Sequence, residues 1–113
     1  MKKIETLIRP DKFPDVQMAL DNLGSPGMTV TEIRGHGVQK GLSHHWREET
    51  IKVDLLPKLK IETVVQDQDV PITVEAILEA AKTGQAGDGK IFVTSVEEVY
   101  RIRTKESGER AIS

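Results

Sequence analysis

Thr83-Gly84-Gln85-Ala86-Gly87-Asp88-Gly89-Lys90-Ile91-Phe92 holds three of the chain's nine glycines within six residues. On its N-terminal side Val74, Ile77, Leu78 and Ala81 recur at helical spacing, so a helix is predicted to run up to Gly84. On its C-terminal side Lys90 to Val96 reads as a strand. A helix that passes through a glycine-rich turn into a strand closes a β-α-β unit. The stretch also carries a chemical signal. Bare backbone N–H groups beside a fixed cation such as Lys90 can cradle phosphate. A connecting turn with scattered surface cations explains the same residues, and the local sequence leaves both readings open.

Working outward, Lys3 to Arg9 is predicted as a first strand, with Ile4, Thr6 and Ile8 on one face and Leu7 on the other. Pro10 closes it. Asp11 or Pro14 opens a helix whose stripe is Phe13, Val16, Leu20 and Leu23, and Gly24 ends it. After the turn Ser25-Pro26-Gly27, Met28 to Arg34 alternates as a second strand. Lys58 to Gln66 is a third, setting Leu59, Ile61, Thr63 and Val65 against Lys60, Glu62 and Val64. Asp67 to Asp69 can cap the helix that carries Pro71 near its first position. Val99 to Thr104 is predicted as a final short strand, and residues 105–113 as a flexible polar tail.

Between the halves, residues 37–57 set no core face, although Ile51, Val53 and Leu55 alternate and the second part is ribbon-like. A segment of that length without its own core is expected to be a long mobile recognition loop. The order β-α-β, loop, β-α-β defines a single α+β domain over residues 1–113, ferredoxin-like βαββαβ with the long loop between its second and third strands. The two helices cover one face of the sheet. Apolar residues on the other face predict self-association.

Composition narrows the function classes. Sixteen Lys and Arg against eighteen Asp and Glu give a net charge of −2, so no global basic field points to nucleic acid. Without cysteine there are no disulfides, thiolate metal sites or Cys nucleophiles. Neither a signal peptide nor an 18-residue apolar run is present, which predicts a cytoplasmic protein.

The chemistry-bearing residues fall into three groups. Arg101 and Arg103, two apart, would project from one side of a strand, and with Lys90 they suit a polyphosphate. A charged edge strand is the plainer alternative. The glycines match neither a Walker A loop nor a dinucleotide-binding fingerprint. Gly35-x-Gly37-x-Gln39-Lys40-Gly41 joins pliant backbone to an amide and an ammonium, with Lys58 at the far end of the loop. It could hold an anion, or a metal bridged to phosphate, or serve only as a hinge. His36, His44 and His45 would need ligands from a partner chain to form a metal site; otherwise they are surface histidines. Trp46 and Arg47 have the chemistry of contact anchors, unless Trp46 folds back on its own subunit. No residue stands out as a catalytic nucleophile, and an enzyme is not expected.

The whole pattern resembles the PII nitrogen-regulatory signal-transduction proteins. Thr83-x-x-x-Gly87-Asp88-Gly89-Lys90-Ile91-Phe92-Val93 matches their C-terminal motif, and Arg101-Ile102-Arg103-Thr104 follows at the expected distance. Gly27-Met28-Thr29-Val30-Thr31-Glu32, Gln39-Lys40-Gly41 and Leu56-Pro57-Lys58-x-Lys60-Ile61-Glu62 match as well. The resemblance implies a homotrimer that binds ATP or ADP in clefts between subunits. Gly87, Asp88, Gly89 and Lys90 would wrap the phosphates, with Arg101 and Arg103 contributed by the adjacent subunit. Thr29, Glu62 and Val64 lie where the family contacts adenine and ribose, and Gly35, Gly37 and Val38 fall at the nucleotide-facing loop mouth. Gln39 matches the ligand of the Mg²⁺ that joins ATP to 2-oxoglutarate. Gly37, Lys40, Gly41 and Lys58 match the 2-oxoglutarate contacts. The long loop is then the T-loop, which engages an ammonium transporter or a nitrogen-metabolism enzyme, so contact with a membrane is only indirect. Two departures stand out. Ile51 falls where many members carry a tyrosine that is uridylylated or adenylylated, and Val38 where a phosphate-holding arginine is common. The segment 42–50 also differs from the usual loop, although Arg47 keeps a residue that the family can insert into the channel pore.

Overall fold

A computed structural model describes residues 1–35, 43–46, 49–52 and 56–112 of the chain, with the side chains of 35, 43–46, 49–52 and 56 left aside. The elements are β1 (Lys2–Ile8), α1 (Phe13–Asn22), β2 (Thr29–Gly35), β3 (Ser43–Trp46), β4 (Glu49–Lys52), β5 (Leu56–Val65), α2 (Val70–Ala81), β6 (Gly89–Ser95) and α3 (Glu109–Ile112). Short 3-10 turns over Pro10–Lys12 and Asp67–Asp69 lead into α1 and α2. Four strands form one antiparallel sheet in the order β2-β5-β1-β6, and β3 with β4 forms a separate two-stranded ribbon. This is the ferredoxin-like α+β fold that the sequence predicts.

The period-2 alternation of β1 and β5 decides which face is buried. Ile4, Ile8, Ile61 and Val65 meet Val16, Leu20, Ile77 and Ala81 from the two helices, each 8% exposed or less. At about 25 cal/mol per Å², one such side chain contributes roughly 1.5–3 kcal/mol by leaving water. Thr6, Thr63 and Thr73 share this interior. Thr63 donates to the Gly27 carbonyl (3.0 Å) and Thr73 to that of Asp69 (2.7 Å), whereas the Thr6 hydroxyl has no partner among the described residues. The opposite face mixes apolar Leu7, Val64 and Phe92 with a charged ladder, Lys3–Glu62 at 3.3 Å and Lys60–Glu62 at 3.9 Å.

Helix ends meet the expectations unevenly. Past α1, Gly24 has φ +68°, its N–H donating to Asp21 and that of Ser25 to Leu20, the paired bonds of a Schellman cap. Gly24 therefore ends the helix as predicted. Gly84 does not end α2, which stops at Ala81 with Lys82 already extended. The N–H groups of Thr83 and Gly84 turn instead to the Asp88 carboxylate, and this draws the chain out of the helix. Asp69 precedes α2 without a side-chain cap bond. Leu78, placed in the apolar stripe of α2 by periodicity, is half exposed, and the buried stripe runs instead through Thr73, Ile77 and Ala81.

The largest correction falls at the C-terminus. Val99 to Thr104 is not a strand: Tyr100 makes an isolated bridge to Ser107, and residues 102–104 turn. Lys105 adopts φ +62°, its N–H bonds the Arg101 carbonyl (2.8 Å), and Gly108 N–H bonds that of Val99 (3.0 Å). This compact reversal replaces the extended chain. The tail, read as polar and flexible, ends in α3 with Ile112 buried.

Candidate functional site

At one end of the sheet, β6 begins with its backbone pressed onto β1. Gly89 has φ +112°, and a Cβ there would lie 1.7 Å from the Leu7 carbonyl oxygen. Only glycine fits this approach. The register Ile8↔Gly89 and Leu7↔Lys90 then fixes Lys90 at the start of β6. The preceding loop is held by Asp88. One of its oxygens accepts from the N–H groups of Thr83 and Gly84, both at 2.9 Å, and the other from the Thr83 hydroxyl and from Arg9 Nε (3.0 Å). Arg9 also donates to the Ala86 carbonyl at 2.7 Å. The Thr83 hydroxyl, with the two N–H groups and Arg9 adding to it, holds the Asp88 carboxyl well below the usual carboxylate range against the opposing cost of burial.

Asp88 is thus the staple of the glycine loop in this chain, and its oxygens are already engaged. Arg9, which pattern reading did not single out, is the staple's other half. Its partner lies 79 residues away in sequence, so no local signal could have found it. Lys58 completes the group by donating to the Gly87 carbonyl at 2.5 Å. Burial, then the neighbouring Arg9 charge, lowers the pKa of Lys58, and Asp88 partly opposes them. Gly87, Asp88, Gly89, Lys58 and Arg9 therefore share one end of the sheet, a cluster of cations and turned backbone that suits an anion.

A second half-site lies toward the other end. Thr29 pairs with Glu62 across β2 and β5, and both line a depression of about 380 Å³ with Gly27, Val64, Val99 and Ile112. Thr29, Glu62 and Val64 are thus brought together as the resemblance implies. Lys58 and Val64 are six positions apart on β5, roughly 20 Å at about 3.3 Å per residue. Arg101 belongs to the depression's neighbourhood: its guanidinium donates to the Arg110 carbonyl (3.3 Å) and lies 3.7 Å from Glu106. Arg103 sits exposed in the adjoining turn. The two arginines do not share a strand face, and the described contacts tie Arg101 to the C-terminal turn rather than to the Gly87 loop of its own chain.

Gly37, Val38, Gln39, Lys40, Gly41, Arg47 and His36 lie outside the described residues. Gly35 ends β2, and His44, His45 and Trp46 follow one another along β3, opposite Ile51, Thr50 and Glu49. Among the described residues no group of three or more His, Cys, Asp or Glu is disposed to hold a metal ion, and no helix is long and apolar enough to cross a membrane.

An antiparallel ferredoxin-like sheet with a stapled, cation-flanked glycine loop defines a small α+β protein. Comparison with known proteins resolves the class. The family model described as nitrogen regulatory protein P-II matches residues 1–106. The chain is 53% identical over 112 residues to nitrogen regulatory protein P-II 2 of Methanothermobacter thermautotrophicus, covering 99% of this chain and 97% of that one. It is 54% identical to the P-II proteins of Pasteurella multocida and Azospirillum brasilense, each over 99% of this chain and the whole of the relative. The chain belongs to the P-II family of nitrogen-regulatory signal-transduction proteins. By name its relatives are regulators.

Proposed function

We propose that the protein is a cytoplasmic, homotrimeric regulator that binds ATP or ADP, with 2-oxoglutarate as effector, and controls nitrogen-metabolism targets through residues 37–57. The observation that carries this reading is the separation of two complementary half-sites. A cationic glycine loop sits at one end of β5, and a depression with a carboxylate and a hydroxyl lies roughly 20 Å away toward the other. Neither is a nucleotide site alone. Set against a second copy, the loop of one chain faces the Thr29–Glu62–Val64 depression of the next, which also brings Arg101 and Arg103 toward the phosphates. Gly87, Gly89 and Lys90 would hold phosphate oxygens, and Thr29 and Glu62 the hydroxyls and amine of the nucleoside. Gln39 would take the Mg²⁺, and Lys58 with the 37–41 backbone the dicarboxylate. The residues fit these groups in charge: Lys58 is half-buried and cationic, and among the described residues it donates to a carbonyl, so an incoming carboxylate is the stronger partner.

Each ligand then shifts the population of loop shapes toward the one it contacts best, and the loop reports to an ammonium transporter or a nitrogen-metabolism enzyme. Ile51 has no hydroxyl, so the regulator works without uridylylation at that position. Calorimetry with ATP, Mg²⁺ and 2-oxoglutarate tests the reading. The expected result is 2-oxoglutarate binding that requires ATP and Mg²⁺; ATP binding with no response to 2-oxoglutarate would refute the effector half. Val38 favours that second outcome, an adenylate sensor indifferent to 2-oxoglutarate, because it leaves one fewer cation at the loop mouth.

A further inference from the structure

Asp88 and Gly89 form the only Asp–Gly pair in the chain. Such a pair carries its own chemistry. Glycine has no side chain to shield its nitrogen, so the Gly89 nitrogen is open to attack on the side-chain carbon of Asp88. The closure forms a C–N bond and expels a carboxyl oxygen as water, leaving a five-membered succinimide. Water then adds back. Where it breaks the bond between the Gly89 nitrogen and the backbone carbonyl carbon of Asp88, the chain continues through the former side chain. The product is isoaspartate, with one extra backbone carbon and no change in mass.

The folded chain opposes each requirement of that closure. The reactive group is the neutral carboxyl, because a carboxylate would have to expel oxide. The Thr83 hydroxyl, the N–H groups of Thr83 and Gly84, and Arg9 keep Asp88 ionised. The same four donors hold both oxygens, with Thr83 and Gly84 N–H at 2.9 Å and Arg9 Nε at 3.0 Å, and turning the side chain onto the Gly89 nitrogen breaks them. The nucleophile is fixed as well. Gly89 is paired with Ile8 and pressed so closely onto β1 that a Cβ would lie 1.7 Å from the Leu7 carbonyl oxygen. Water is not the missing component, since the Asp88 side chain is 26% exposed.

We propose that Asp88–Gly89 is a latent isoaspartate site that Arg9 and Thr83 keep closed. The pair reacts only in molecules whose loop has opened, so the rate of conversion follows the opened population. Once formed, the extra backbone carbon has no room at the start of β6, and the relocated carboxylate no longer meets its four donors. The staple is lost in that molecule. This goes beyond the regulator reading and stands whether or not the loop binds a nucleotide.

The test incubates full-length wild type, Arg9→Ala, Arg9→Lys and Thr83→Val at neutral pH for several weeks, each folded and each unfolded in guanidinium chloride. Isoaspartate is counted by enzymatic methyl transfer and located by electron-transfer fragmentation. Hydrogen exchange on the same samples reports the Thr83 and Gly84 amides against those of β1 and β5. Folded wild type is expected to convert at position 88 about tenfold or more slowly than its own unfolded chain. Arg9→Ala and Thr83→Val are expected to convert severalfold faster than folded wild type at equal β1–β5 protection, with Arg9→Lys between them and wild type. Folded wild type converting as fast as the unfolded chain would overturn the proposal. So would wild-type conversion rates in both Arg9→Ala and Thr83→Val.

Discussion

Gly89→Ala is the sharpest perturbation the fold offers. A methyl at this position would sit 1.7 Å from the Leu7 carbonyl oxygen and 2.7 Å from its carbon, against an ordinary carbon–oxygen contact of about 3.3 Å. The neighbour is backbone in the central β1, so it cannot rotate away. The start of β6 must therefore move by about 1.5 Å, and the Ile8↔Gly89 and Leu7↔Lys90 pairings open with it. Two lost ladder bonds cost about 1 kcal/mol each, and a non-glycine residue at φ +112° adds roughly 1–3 kcal/mol. The sum is about 3–5 kcal/mol, a large share of the roughly 5–15 kcal/mol that a domain has. At about 4 °C per kcal/mol for a chain of this size, the melting temperature should fall by roughly 12–20 °C. Circular dichroism melts at matched protein concentration measure this, since any assembly of copies would make the midpoint concentration-dependent. A variant melting within about 3 °C of wild type would refute the backbone-contact argument.

Three further outcomes follow from the same structure. Asp88 has a folded pKa below its unfolded value, so its stabilisation is present above about pH 4 and is lost as pH falls toward the folded value. In urea titrations the gap between wild type and Asp88→Asn should accordingly narrow from about pH 7 to about pH 3; a gap constant with pH would contradict the charged staple. Arg9→Ala removes one arm of the staple and should speed hydrogen exchange at the Thr83 and Gly84 amides while leaving β1–β5 amides protected; unchanged exchange would show that Thr83 suffices. Thr6→Val keeps the shape and discards a buried hydroxyl without a partner among the described residues, so stability should rise by about 1 kcal/mol, and a fall in the urea midpoint would contradict an unbonded hydroxyl.

Those parts of the fold governed by periodicity were legible in the sequence. The alternation Ile4, Thr6, Ile8 and the spacing Val16, Leu20 read correctly because burial on one face imposes a period, and Gly24 read correctly because a Schellman cap needs a positive φ. The C-terminal region failed for the converse reason. Val99 to Thr104 has the composition of a strand, but its shape is set by bonds to Glu106 and Gly108 farther along the chain and by Lys105 in a left-handed turn. Ile112, the one large apolar residue among 105–113, was the available signal that this segment packs.

In the candidate site, the sequence marked the glycine loop but not the bonds that hold it. Motif reading put Asp88 among the ligand contacts, whereas its carboxylate holds the loop together with Arg9 and Thr83. Such a staple depends on two chain segments meeting at the end of β1, and only the fold brings them together. Thr29, Glu62 and Val64 were grouped by resemblance, and the β2–β5 register supplies the physical cause.

The central claim is that the glycine-loop half and the depression half of one nucleotide site come from different copies of the chain. Mixing two defective variants tests it directly. On this claim Lys90→Ala would remove a phosphate contact and Glu62→Ala a nucleoside contact, and each alone should bind ATP weakly. Unfolded together and refolded as mixed assemblies, they should regain tight ATP binding at about one quarter of the sites, the random-mixing fraction for interfaces with both halves intact. Calorimetric stoichiometry reads that fraction. Mixed assemblies with no tight sites would mean that each chain holds its nucleotide alone, and the shared-site account would be wrong.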